Sequence, residues 1–134
     1  MMWNRTYETG LEELDKLNFD LISRLDAMRD SDTNRARLEK LENFEQMVSK
    51  YFEREQKMHN ECNYYGADIH RSSHEGYLKN LRRIKRNFIE RGPTLENEMI
   101  FIKNTIKSLE KHITNQDKPF AEFYHKNILN AKAQ

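Results

Sequence analysis

A chain of 134 residues is long enough to bury a core and short enough to form one domain, 1–134. Its 23 Lys and Arg nearly balance 22 Asp and Glu, which argues against nucleic-acid or membrane binding driven by net charge. Charged residues make up 34%, with only four Gly and two Pro, the composition of a protein built from long helices.

Cys62 is the single cysteine, so no internal disulfide forms and a reducing compartment is expected. The opening MMWNRTYETG has no apolar signal region, and no apolar run approaches the ~20 residues that cross a bilayer. A soluble cytoplasmic protein is the expectation.

Residues 1–10, with Trp3 and Tyr7, lack periodicity and read as an arm ending at Gly10. Leu14, Leu17, Leu21, Leu25 and Met28 then recur at helical spacing, which predicts a first helix over 11–29. Asn18 sits inside that apolar stripe. Asp30-Ser31-Asp32-Thr33 reads as a turn rich in capping residues. The second helix, 33–62, is the most regular: Leu41, Phe44, Val48, Tyr51, Glu55, Met58 and Cys62 alternate steps of three and four. Glu55 therefore faces inward, where an unpaired carboxylate costs several kcal/mol or is forced to protonate. Asn63 to Ala67 is the next turn, with Asp68 the expected N-cap. The third helix, 68–90, carries His70, His74, Tyr77, Leu81, Ile84 and Phe88 on one stripe, and Arg91-Gly92-Pro93-Thr94 stops it. The fourth, 94–115, turns Met99, Ile102, Ile106, Leu109 and His112 inward. Asp117 follows as that helix runs out, and Pro119 is expected to end it. Phe120, Phe123, Tyr124 and Ile128 suggest a short terminal helix over the bundle. The fold class is all-α, an up-down-up-down four-helix bundle without repeats or linkers.

The inward polar residues carry the functional signal. A spacing of four places His70 and His74 a turn apart on one face. In an antiparallel bundle the start of helix three meets the ends of helices two and four. Glu55, His70, His74, His112 and Asp117 then fall at one bundle end. Three imidazoles and two carboxylates suit a borderline transition metal such as iron, zinc or manganese.

At these residues the chain resembles the hemerythrin family, and bacteriohemerythrins in particular, over roughly residues 3–125. Trp3…Tyr7-Glu8-Thr9-Gly10…Leu14-Asp15 is similar to the family's arm and first-helix signature. Phe52-x-x-Glu55 followed by Tyr64-Tyr65 is similar to the second-helix signature. His70-x-x-x-His74 and His112-Ile113-x-x-x-Asp117 match the third and fourth ligand motifs. The family fold is a four-helix bundle, the topology of myohemerythrin. The resemblance implies that His70, His74 and His112 bind one iron, and that Glu55 and Asp117 bridge it to a second. Where the family has its two histidines for that second iron, this chain has Asn18 and Tyr51. In the family, dioxygen takes one electron from each of two ferrous ions. A chain that keeps the shell of only one iron is expected to bind one iron and not to carry oxygen reversibly; the alternative is a reversible di-iron oxygen binder in which His59 or Tyr51 is the substitute ligand.

Several residues keep alternatives open. His59, four after Glu55, either replaces a ligand, donates a hydrogen bond to one, or is a boundary histidine partly in solvent. Tyr51 either ligates as a phenolate or packs and hydrogen-bonds. His125 reads as a surface residue. Lys79, Arg82, Arg83, Lys85 and Arg86 read as a solvated helix face, and Cys62 as a small core residue. Three functions compete: a metal-binding protein that stores or senses iron, dioxygen or another small ligand; a non-haem iron enzyme acting on peroxide or nitric oxide; and a metal-free bundle kept for interactions. The expected partners are a metal ion and a small ligand, with the chain a monomer or small homo-oligomer.

Overall fold

The computed structural model describes residues 5–28, 31–92 and 94–129. Trp3 of the expected arm, and Asp30 and Pro93 of two expected turns, lie outside the described residues. Four long helices make the bundle: α1 (Glu12–Ala27), α2 (Asn34–Glu61), α3 (Ala67–Arg91) and α4 (Leu95–His112). Each packs on the next, and α4 closes against α1. Short connections make consecutive helices antiparallel, giving the expected up-down-up-down order. Among the described residues there is no strand, and no helix is long and apolar enough to cross a membrane.

Local chemistry sets the helix starts. The Asp15 carboxylate accepts from Thr9 N and Oγ1 at 2.7 Å and from Gly10 N at 3.1 Å, tying the arm to α1. Gly10 turns at φ +89°, and a Cβ there would meet His125 Nε2 at 3.2 Å. Thr33 Oγ1 caps α2 by accepting from Ala36 N, and Thr94 Oγ1 caps α4 by accepting from Asn97 N. α3 differs from expectation. It begins at Ala67 after Gly66, without a side-chain cap. Asp68 lies in the first turn, where its charge faces the positive end of the helix dipole.

The core runs through the seams of all four helices, with Leu14, Leu21, Leu41, Phe44, Leu81, Phe101 and Leu109 each at most 2% exposed. Phe44 and Phe101 meet edge to face at 6.2 Å. On α4 the expected stripe needs correcting. Met99 is 61% exposed, and Glu98, Ile102, Thr105, Leu109 and His112 form the buried seam. Counting back from His112 in steps of three and four lands on Glu98, so Met99 is one residue, about 100°, off the core.

The expected stop at Pro119 is also corrected. Beyond His112 a π-turn (Ile113–Asp117) leads without a break into α5 (Lys118–Tyr124), and a second wide turn spans His125–Leu129. The Lys118 N–H bonds to the Ile113 carbonyl, five residues back. Pro119 then falls at the start of α5, directly after the wide turn. Five residues make about 1.4 turns of α-helix but close to one turn here, so Asp117 comes round onto the face of His112. Phe120 and Ala121 follow it into the core. Inserting one Ala after the exposed Asn115 should carry Asp117 and Phe120 about 100° round the helix and off the bundle. A loss of about 3 kcal/mol or more in urea unfolding is expected from Phe120 alone. An unchanged midpoint would show that the register after His112 is free to shift.

Candidate metal centre

Three helices supply the central group. Glu55 comes from the last turns of α2, His70 and His74 from the first turns of α3, and His112 from the end of α4. All four residues are buried, and one ligand atom from each lies within 4.8 Å of every other. Such a buried group of one carboxylate and three imidazoles can hold a metal ion. The arrangement centres on Glu55 Oε1, which stands 2.5 Å from His70 Nε2, 2.6 Å from His74 Nε2 and 3.5 Å from His112 Nε2. A cation with bonds of ~2.1 Å keeps adjacent ligand atoms about 3 Å or more apart, so the two shorter contacts are hydrogen bonds that would open by less than about 1 Å around a shared ion. Asp117 lies beside the group rather than within it. Its Oδ1 is 3.2 Å from His70 Nε2 and 3.0 Å from His112 Nε2.

The rings are held from behind. His74 Nδ1 meets Gln56 Nε2 at 3.3 Å, and His112 Nδ1 meets Ser73 Oγ at 3.2 Å. Phe52 stacks on His74 with centroids 3.8 Å apart and planes 8° from parallel. Outer contacts of this kind fix ring orientation and leave Nε2 for a ligand position. The sequence does not single out Phe52, Gln56 or Ser73 as supports. Phe52 and Gln56 flank Glu55 by three and one, and Phe52 also belongs to the Phe52-x-x-Glu55 motif.

The other oxygens of the carboxylates face neutral groups. Tyr51 Oη shares its one proton between Glu55 Oε2 at 3.1 Å and Asp117 Oδ2 at 2.9 Å. Asn18 Nδ2 donates to Asp117 Oδ2 at 3.1 Å. Tyr51 thus takes the packing and hydrogen-bonding role of its two readings. Burial, then the charges of Asp117 and Glu55, push its phenol well above its usual range.

Charge is balanced within the cluster. Burial pushes the Glu55 carboxyl up, but hydrogen bonds from His112, His70 and His74 outweigh it and hold the group well below the usual carboxylate range. Burial disfavours the His112 imidazolium, yet the Asp117 charge and the bonds to Asp117 and Glu55 raise its pKa to about 10. His70 is raised against its own burial by hydrogen bonds to Asp117 and Glu55. His74 is lowered, chiefly by burial. A proton on His112 thus supplies part of the positive charge that a cation would bring to the cluster.

His59 overturns the reading of a boundary histidine partly in solvent. It is 1% exposed, and neither ring nitrogen has a hydrogen-bond partner. Burial, then the neighbouring His70, push its pKa down to about 3, so it is neutral. It stands outside the group of four that can share an ion. Cys62 is a core residue as expected, its thiol bonded to the His59 carbonyl at 3.6 Å. His125 is partly exposed, and its Nε2 meets the Gly10 carbonyl at 3.0 Å. In the basic cluster, Arg82 and Lys85 both reach Glu45 of α2, the behaviour of a solvated face. Glu98, missed in the sequence, is buried 3.7 Å from Arg37 Nε and takes no part in the site.

A cleft of about 260 Å³ between α3 and α4 reaches the site, lined by Ser73, Gly76, Lys111, Asn115 and the edge of His112. A larger cleft, about 740 Å³, runs along α4 past Leu95, Met99 and Ile106, away from this chemistry. Comparison with models of known protein families and with curated proteins finds no match to this chain.

Two outcomes follow from the geometry. His74→Ala should remove most metal from protein purified in its presence, measured by plasma mass spectrometry, and wild-type occupancy would overturn the assignment. The second concerns protons. His112 has a folded pKa of about 10 against an ordinary 6.5. A raised pKa adds stability that is complete below pH 6.5 and fades as the pH climbs through about 10. Metal-free protein should therefore melt at falling temperature across that window. Metal entering at neutral pH should expel at least one proton, read by calorimetry in buffers of different ionisation enthalpy. A melting temperature flat from pH 6.5 to 10, with no proton released, would contradict this.

Proposed function

We propose that this chain is a hemerythrin-like metal protein with one well-formed site for iron and a depleted second position. It binds or senses a small ligand or iron itself rather than carrying dioxygen reversibly. The observation that carries the reading is the division of the two carboxylates. Glu55 Oε1 and Asp117 Oδ1 face imidazoles, while Glu55 Oε2 and Asp117 Oδ2 face Tyr51 and Asn18. A second cation on that side would have to displace two neutral donors and then rest on shared carboxylates and water. An ion taken out of water is held only where its lost hydration is replaced.

The fit of iron to the first position rests on donor chemistry. Three imidazoles and a carboxylate suit a borderline divalent ion, and Asp117 offers a fifth donor atom to an ion that accepts more than four ligands. Zinc and manganese suit the same donors. Bound iron supplies one-electron redox chemistry and an open position for a small molecule. The protein's own part is to orient the three rings, exclude bulk water and hold a proton on His112 when no metal is bound.

A non-haem iron enzyme acting on peroxide or nitric oxide is the second reading, favoured by the cleft that ends on His112. The metal-free reading is weakest, because Glu55 and Asp117 are both fully buried at one place.

Metal analysis of the purified chain should give about one iron. Replacing both plugging residues, Asn18→His with Tyr51→His, should raise the ratio toward two and bring up near-ultraviolet charge-transfer bands of a coupled ferric pair. Two irons with those bands in the unaltered chain would overturn the one-metal reading.

A further inference from the structure

His59 is the least satisfied polar side chain near the site. The ring is 1% exposed, and both nitrogens are buried without a partner. Its surroundings are rings: Phe120 at 4.3 Å between centroids, Tyr64 at 5.2 Å and His70 at 4.3 Å. Each buried nitrogen without a partner costs about 1–3 kcal/mol. An apolar residue of similar volume would escape that cost, so packing does not explain a histidine here. Position does. His59 lies one turn beyond Glu55 on α2, against the ring of His70 and within electrostatic reach of Glu55, His74 and His112. A neutral imidazole offers one N–H donor and one lone pair. His70 Nδ1, beside it, also lacks a partner, unlike the corresponding nitrogens of His74 and His112.

We propose that His59 is a positioning residue that hydrogen-bonds the water or small anion completing the coordination of a metal held by Glu55, His70, His74 and His112. The proposal rests on the metal reading above and deepens it. It assigns the site a ligand class: small and able to accept a hydrogen bond, beside the rings of Tyr64 and Phe120. His59 selects among such ligands through its N–H and takes no place in the coordination shell.

The test uses the full chain loaded with ferric iron and azide as the probe anion, in wild type, His59→Leu and His59→Gln. Metal content should be equal in all three. Azide affinity, from its charge-transfer band, should fall about tenfold in His59→Leu, the scale of one hydrogen bond to a charged group. His59→Gln, which keeps an N–H donor, should recover much of it. Metal-free His59→Leu should melt at or above the wild-type temperature, because two unpartnered nitrogens leave the core. Equal azide affinity in all three variants would overturn the proposal. So would metal lost from both variants, which would make His59 a ligand, or a lower melting temperature for metal-free His59→Leu, which would make it structural. A wild-type chain that binds no metal would overturn the metal reading, and this inference with it.

Discussion

The bundle's site end depends on one buried charge, the carboxylate of Glu55. At 0% exposure it cannot be hydrated, and isolating an ionised carboxylate in such a place is prohibitive. Three imidazoles and a phenol answer it from α2, α3 and α4. Every one of those groups is itself buried. Removing one therefore strands others, which is why a buried polar network is strong when complete and fragile when broken.

The scaffold supplies orientation more than contact area. Phe52 lies flat on His74, Gln56 and Ser73 meet the rear nitrogens of His74 and His112, and Phe120 closes the bundle over His59. The wide turn after His112 is part of this arrangement. It rotates Asp117 inward, carries the chain through Pro119 and brings Phe120 and Ala121 of α5 into the core. A backbone irregularity thus sets where a carboxylate points, a common use of π-turns at functional sites.

The two carboxylates present different chemistry on their two sides. Toward α3 and α4 they meet imidazoles, which titrate and can exchange a proton for a metal. Toward α1 and α2 they meet an amide and a phenol, which stay neutral and donate. This asymmetry separates a one-ion reading from a two-ion reading. It follows from two residue identities, Asn18 and Tyr51, at positions where the backbone aims side chains between the carboxylates.

The helices, their order and the end at which the polar residues gather are all legible in the residue pattern. Hydrophobic periodicity encodes which face of α2 and α3 is buried, and Glu55, His70 and His74 fall on that phase. Their convergence with His112 is legible because antiparallel helices bring known ends together. Three features are not. The phase of α4 differs by one residue from its apolar pattern, since exposed Met99 and buried Ile102 look alike as hydrophobics. The passage through Pro119 depends on a five-residue hydrogen bond that no propensity signals. The isolation of His59 depends on which rings close over it from α3 and α5. Periodicity is a property of one helix, so it fixes what faces inward. Which buried groups then find a partner is decided between helices, by distances of a few tenths of an ångström that are set when the helices pack.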